Sequence, residues 1–285
     1  MDRQELIQQI KRKKSFLCIG LDSDIDKIPE AVKKESDDPV FAFNRKIVDA
    51  TIDLAVAYKP NVAFYESLGS KGWRSLEKTI HYIAEHPQGP VFTIADAKRA
   101  DIGNSSRHYA RAFFETMPFD AVTVNPYMGY DSLQPFFAYE GKWTIVLALT
   151  SNPGATDYQM LQPQLPMLLD KLGIKSCHWN KLYEVVMDKC MTLGTADNTM
   201  FVAGATQPEH IGAIRDRAPG HFLLIPGVGS QGGDLQTLAD IAMNRDVGIL
   251  VNSSRSIIFA SSDADFAEKA RQAAHTMQKQ MEGFL

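Results

Sequence analysis

What this sequence has little of narrows it before any motif does. Cysteine is scarce: Cys18, Cys177 and Cys190 are scattered, with no Cys-x-x-Cys spacing, so neither a disulfide framework nor a thiolate zinc site is indicated. They read as small apolar packing residues. Positive charge is not in excess. A formal net charge of −4 leaves no electrostatic footprint for a nucleic acid or an anionic membrane, so any bound anion must be held by local groups. Apolar runs are too short for a membrane span or a signal core, and the first residues, Met1-Asp-Arg-Gln-Glu-Leu, are charged, which predicts a cytoplasmic protein. The histidines at 81, 86, 108, 178, 210, 221 and 275 form no pair at ligand spacing on a strand end. That argues against transition-metal chemistry, and most of them read as surface residues. No Gly-x-Gly-x-x-Gly follows the first apolar run, where a dinucleotide fold needs it.

What is present is alternation. A chain of 285 residues, 45% hydrophobic and 22% charged, can bury a large core. A short charged helix over about 3–14 precedes an apolar strand over 15–22. Helical spacing follows over 39–57, then a strand over 57–65 interrupted by Pro60. The pattern continues with helices near 73–85, 104–116, 131–139, 178–193, 208–217, 234–244 and 263–282. Strands lie near 91–98, 121–127, 143–150, 200–206, 221–225 and 247–252. Eight continuous apolar strands, each followed by a helix, predict a parallel sheet covered by helices. At this length the prediction is a closed (β/α)8 TIM barrel, one domain over 1–285; an open doubly wound sheet is the structural alternative. The Gln-, Met- and Pro-rich stretch 156–176 reads as a long loop after strand 5.

Polar residues collect where such a barrel keeps its active site, at the C-terminal ends of the strands. Asp22 ends strand 1, Lys59 lies on strand 2, and Asp96 and Lys98 end strand 3. Asn125 ends strand 4, Ser151 follows strand 5, Gln231 follows strand 7, and Ser254 and Arg255 follow strand 8. Singly, Asp22, Asn125 and Ser151 have the plain reading of caps or turn formers, while Asp24 and Arg99 read as solvated. Jointly the plain reading weakens. Pro226-Gly-Val-Gly-Ser-Gln-Gly-Gly233 offers glycines that let backbone N–H groups approach an oxyanion. Asn252-Ser-Ser-Arg255 adds a guanidinium suited to bidentate phosphate contact. In Asp96-Ala-Lys98-Arg-Ala-Asp101, alternation puts Asp96 and Lys98 on one face, with Asp101 past the strand end. A lysine between carboxylates keeps its proton, which suits a proton donor better than an imine former. The same three residues also read as a divalent-metal site or a strand-end salt-bridge network.

Taken together, Asp96-x-Lys98-x-x-Asp101-Ile102, Lys59 upstream, Ser151-x-Pro153-Gly154, Pro226-Gly-Val-Gly-x-Gln231-Gly-Gly and Ser254-Arg255 resemble the orotidine 5′-phosphate decarboxylase family. Leu21-Asp22-Ser-Asp24, Val124-Asn-Pro-Tyr and Thr150-Ser-Asn-Pro-Gly are similar to its longer bacterial branch. Two small departures are Ala100, often glycine in that branch, and Ser105, usually threonine. The resemblance implies a cofactor-free, metal-free decarboxylation of orotidine 5′-monophosphate to UMP by a homodimer whose subunits share their sites. Lys98 would protonate C6, Lys59 and Asp96 would hold the ribose and orient the cluster, and Asp22 would meet a ribose hydroxyl. Asp101 and Ser105 would reach the partner subunit's site, Ser151 would face the pyrimidine, and Gln231, Ser254 and Arg255 the phosphate. Asn125 stands with the substrate-binding set. Two rivals remain: Mg2+-dependent sugar-phosphate lyases or decarboxylases of the same barrel superfamily, which share Asp-x-Lys-x-x-Asp but resemble each other in a glutamate where this chain has Lys59, and a non-catalytic nucleotide-binding protein. Glu66, downstream of Lys59, leaves the register of strand 2 open.

Overall fold

The computed structural model describes residues 1–162, 181–204, 208–227 and 235–285. Eight parallel strands close into a barrel in sequence order, with the first hydrogen-bonded to the last. They are β1 Leu17–Gly20, β2 Ala57–Lys59, β3 Phe92–Arg99, β4 Ala121–Val124, β5 Trp143–Leu149, β6 Thr199–Ala203, β7 Phe222–Pro226 and β8 Ile249–Ser253. Almost every strand residue is buried, because one face packs inside the barrel and the other against helices. Register pairs Ala121 with Trp143 and Met200 with Phe222, so the large inward side chains share a layer. Trp143 meets Phe92 and Phe222 edge to face, at 5.9 and 6.1 Å between centroids.

The end of the barrel where the strands begin is plugged from the N-terminal helix Arg3–Lys13. Asp2 and Glu5 form a reciprocal capping box at its start. Arg3 lies over the Phe222 ring and donates to the carbonyls of Ala196, at 2.6 Å, and Gly220, at 2.8 Å. A guanidinium that closes the floor leaves the opposite end of the barrel for chemistry.

Several boundaries depart from the sequence reading for local reasons. Strand 2 does not run to 65: Pro60 cannot continue the ladder, and Asn61 accepts from the Ala63 N–H to start the helix Val62–Glu66. The reading also missed the short helices Glu30–Glu35 and Arg255–Ile258. The helix after β3, Gly103–Arg111, passes at Ala112–Thr116 into a wider π turn that buries Phe113 and Phe114. The stretch read as a loop from 156 opens inside a one-turn helix, Ala155–Tyr158; its part from 163 to 176 lies outside the described residues. Cys18 and Cys190 are free and buried, as expected of packing residues, and Cys177 lies outside the described residues. Of the histidines, read as mostly surface residues, none of those described is fully buried, but His221 is set apart: both its ring nitrogens are buried without a hydrogen-bond partner.

Candidate active site

Beyond Lys59 the chain still follows β3: Asn61 bridges Asp96, and the Asp96 N–H donates to the Pro60 carbonyl at 3.1 Å. That places the Lys59 ammonium 2.7 Å from Asp96 Oδ2. Lys98 reaches the other oxygen, Oδ1, at 2.6 Å, and the Thr123 hydroxyl donates to Oδ1 at 3.1 Å. Asp96 therefore carries a lysine on each oxygen. The two lysines are not equivalent. The Lys59 side chain is 6% exposed and that of Lys98 47%, so only the second ammonium faces the open end of the barrel.

The backbone at Lys98 is unusual. Its φ is +50°, in the left-handed region that costs a non-glycine residue ~1–2 kcal/mol, and the ladder to β4 shifts register between Ala95 and Arg99. The Lys98 N–H donates to Thr123 Oγ1 at 2.9 Å. Thr123 thus supports both Lys98 and Asp96, a role the sequence reading missed; the available signal was a lone hydroxyl in the buried run Ala121–Val124.

Opposed effects act on these charges. Burial works to raise the Asp96 carboxyl, but Lys59 and Lys98 outweigh it and hold the group well below the usual carboxylate range. Burial likewise works to lower the Lys59 ammonium, and the Asp96 and Asp22 carboxylates beside it hold it above its ordinary value. Asp22 adds something further: its Oδ1 is buried with no hydrogen-bond partner. A buried acceptor with nothing to accept is costly unless a ligand uses it. Cys18, deeper in the barrel, is pushed up to about 12 by burial, with Lys59 opposing and Asp96 and Asp22 adding to it, so it is an inert thiol.

The other expected residues divide into four groups. Ser151 follows β5 half-buried, and Ser254 follows β8 with its hydroxyl donating to the Gly20 carbonyl at 3.1 Å. Arg255 is exposed on the same rim. Asn125 caps the turn Pro126–Met128, accepting from the Tyr127 N–H at 3.1 Å, so its plain reading holds; it also lines a hollow of about 350 Å³ with Tyr127, Tyr158 and Tyr183. Asp101 and Ser105 do not join the lysine cluster. They line a different hollow of about 540 Å³ with Glu66, Trp73, Arg99 and Tyr109. Gln231 lies outside the described residues, so the glycine-rich loop is seen only as far as Gly227.

Two sequence readings are corrected here. Arg99 is not solvated: its guanidinium pairs with Glu66 and lies against the rings of Tyr109 and Phe113. The doubt over Glu66 is thereby removed, since Lys59 is the residue of β2 at Asp96 and Glu66 is on the following helix, turned to Arg99. Among the described residues no group of three or more His, Cys, Asp or Glu side chains is placed to hold a metal ion. Both Asp96 oxygens already carry ammonium groups.

Comparison with known proteins adds to this geometry. Residues 15–270 match the family model for the orotidine 5′-phosphate decarboxylase / HUMPS family. An orotidine 5′-phosphate decarboxylase of Parabacteroides distasonis is 50% identical over 285 residues, spanning 100% of this chain and 96% of that protein. One from Flavobacterium johnsoniae is 52% identical over 281 residues, spanning 99% and 97%. In structure, the OMP decarboxylase of Leishmania donovani superposes with a TM-score of 0.78 at 31% identity, over 100% of this chain and 99% of that one.

Proposed function

The chain belongs to the orotidine 5′-phosphate decarboxylase / HUMPS family, and from that membership we infer how its strand-end charges work. It is a carboxy-lyase that releases CO2 from orotidine 5′-monophosphate and leaves UMP, in pyrimidine biosynthesis. One observation carries our assignment of roles: Asp96 is clamped between a buried ammonium and an open one. Loss of CO2 leaves an electron pair at C6 with no conjugated sink, so the barrier falls only if a cation is already in place and water is kept out. Lys98 is that cation, and it delivers its proton to C6. Lys59 holds Asp96 ionised and in position, and the unpaired Asp22 oxygen accepts from a ribose hydroxyl.

Repulsion of the substrate carboxylate by Asp96 has a supporting part at most. Two like charges about 4 Å apart cost ~4 kcal/mol at an effective dielectric near 20, against ~20 kcal/mol or more of barrier reduction for the slowest uncatalysed reactions. Two lysines on Asp96 reduce the repulsion further. The larger share falls to Lys98 and to binding energy from the distant phosphate, held by Gln231, Ser254 and Arg255, while Ser151 faces the pyrimidine and Asn125 edges the pocket. We place this reaction in the cytoplasm and assign it to the whole chain, 1–285, as one barrel domain. Among the described residues no helix is long and apolar enough to cross a membrane.

The working unit we propose is a homodimer. Asp101 and Ser105 lie apart from their own Lys98, in a hollow shared with the exposed Tyr109 and next to the exposed Ile102 in the chain. Such an arrangement fits residues that complete the neighbour's site. No metal or cofactor enters this scheme, because Lys59 and Lys98 already supply the positive charge that a divalent ion would bring to Asp96. The test is to follow the absorbance of orotidine 5′-monophosphate with purified protein and excess chelator. Turnover should be unchanged by the chelator and fall by about 10³-fold or more in Lys98→Ala. Loss of turnover restored by Mg2+, or tight UMP binding without turnover, would overturn the assignment.

A further inference from the structure

We propose that Gln159 is the positioning residue for Ser151, an inference that rests on Ser151 facing the pyrimidine. A serine two residues past a strand end has no ladder hydrogen bonds of its own to fix it. Here the preceding residue is held instead. Gln159 Oε1 accepts from the Thr150 N–H at 2.8 Å, while Gln159 Nε2 donates to Thr150 Oγ1 at 2.9 Å. Thr150 passes the hydrogen bond on, donating from Oγ1 to Asn152 Oδ1 at 2.6 Å. Ser151 thus lies between two residues of one network.

The network needs an amide. Thr150 presents its N–H and its hydroxyl oxygen side by side, and a carboxamide answers both at once, accepting from one and donating to the other. Its length matters too, since the side chain must cross from the segment after Ala155–Tyr158 to the end of β5. Gln159 is itself anchored: its carbonyl accepts from the Tyr183 N–H at 3.0 Å, and the Leu161 carbonyl from the Leu182 N–H at 2.8 Å. These bonds tie it to the start of the helix Leu182–Met191. On the other side, the Gly204 N–H donates to the Leu149 carbonyl at 2.8 Å, and a Cβ on Gly204 would lie 2.8 Å from Ser151 N. The 150–151 peptide is therefore gripped between Gly204 and Gln159, with no slack on either side.

The test is a double-mutant cycle on decarboxylation, measuring kcat and KM for wild type, Gln159→Ala, Ser151→Ala and the double variant. Displacing a substrate-contacting group by a fraction of an ångström should cut kcat/KM about 10- to 100-fold in Gln159→Ala, divided between kcat and KM as in Ser151→Ala. In the Ser151→Ala background the same change should cost no more than about 2-fold, because the residue through which it acts is gone. If Gln159→Ala does not fold, Gln159→Glu carries the same cycle: it keeps the acceptor for the Thr150 N–H and loses the donor, so a smaller loss should again vanish without Ser151. An equal loss in both backgrounds overturns the role of Gln159 while leaving Ser151 in place. A Ser151→Ala enzyme with wild-type kcat/KM removes the premise and the proposal with it.

Discussion

Lys59 and Asp96 form a buried ion pair whose worth can be separated from its two members. Lys59 is 5% exposed overall, and its ammonium lies 2.7 Å from Asp96 Oδ2. At an effective dielectric near 20 that separation corresponds to a gross attraction of ~6 kcal/mol, most of it offset by the desolvation of two charges. Removing one partner leaves the other buried and unpaired, which costs ~3–5 kcal/mol. Lys59→Met should fall at the low end of that range, because Lys98 still neutralises the carboxylate. Asp96→Asn should fall at the high end, because the deeply buried Lys59 then keeps only the more distant Asp22. The double variant Lys59→Met/Asp96→Asn buries neither charge, and it should lose less than ~2 kcal/mol although it is inactive. Urea unfolding of all four proteins at pH 7 measures this. A double variant whose loss equals the sum of the singles would refute the coupling.

The pH dependence of the pair follows from the two shifts. Asp96 is depressed in the fold, so its contribution is fully present above the ordinary carboxylate pKa and is lost as pH falls through the lower folded value. Lys59 is raised, so its contribution is fully present below the ordinary lysine pKa and is lost as pH rises through the higher folded value. Between about pH 5 and 10 the pair should hold constant, and any slope there belongs to other groups.

His221 is the first such group. Burial, with Arg3 and Arg215 nearby, lowers it to about 4. A neutral buried histidine contributes stability above its unfolded pKa of about 6.5, lost as pH falls from there toward 4. Its share, discounted for partial exposure, is ~1–2 kcal/mol. Urea midpoints for His221→Phe between pH 7 and 4.5 should show a flatter slope than wild type, and an unchanged slope would exclude His221 as the cause. For the proposed dimer, mixing inactive Lys98→Ala with inactive Asp101→Asn subunits should give about one good site per heterodimer. An absence of recovered turnover after exchange is confirmed by mass spectrometry would show that sites are not shared.

The barrel was legible because its strands are continuous apolar runs closed by polar residues, a pattern that survives errors of two or three residues at each end. Lys59 and Asp96 were legible for the same reason: each is the charge that ends an apolar run. The partners of these residues were not. Thr123 reads as one more β-branched strand residue, and its hydrogen bonds to Asp96 and Lys98 depend on the register between β3 and β4. Arg99 is a strand-end cation like many others until the fold brings Glu66, Tyr109 and Phe113 around it. Gln159 sits in a polar stretch with no periodicity, so nothing local points to Thr150.

Alternation along β3 placed Asp96 and Lys98 together, yet the strand does not keep its period between them. The left-handed backbone at Lys98 and the register shift before Arg99 release the Lys98 N–H from the ladder, and it turns to the Thr123 hydroxyl. A regular strand would spend that N–H on the β4 backbone and leave the Thr123 hydroxyl without this donor. Pro60 has a matching effect on β2: it ends the ladder after Lys59 but leaves its own carbonyl to accept from the Asp96 N–H. The two places where strand rules fail lie on either side of one carboxylate. Both convert backbone pairing into support for a charge, at a cost of about 1–2 kcal/mol for the left-handed residue, and that cost is small beside the rate that a fixed ammonium can supply.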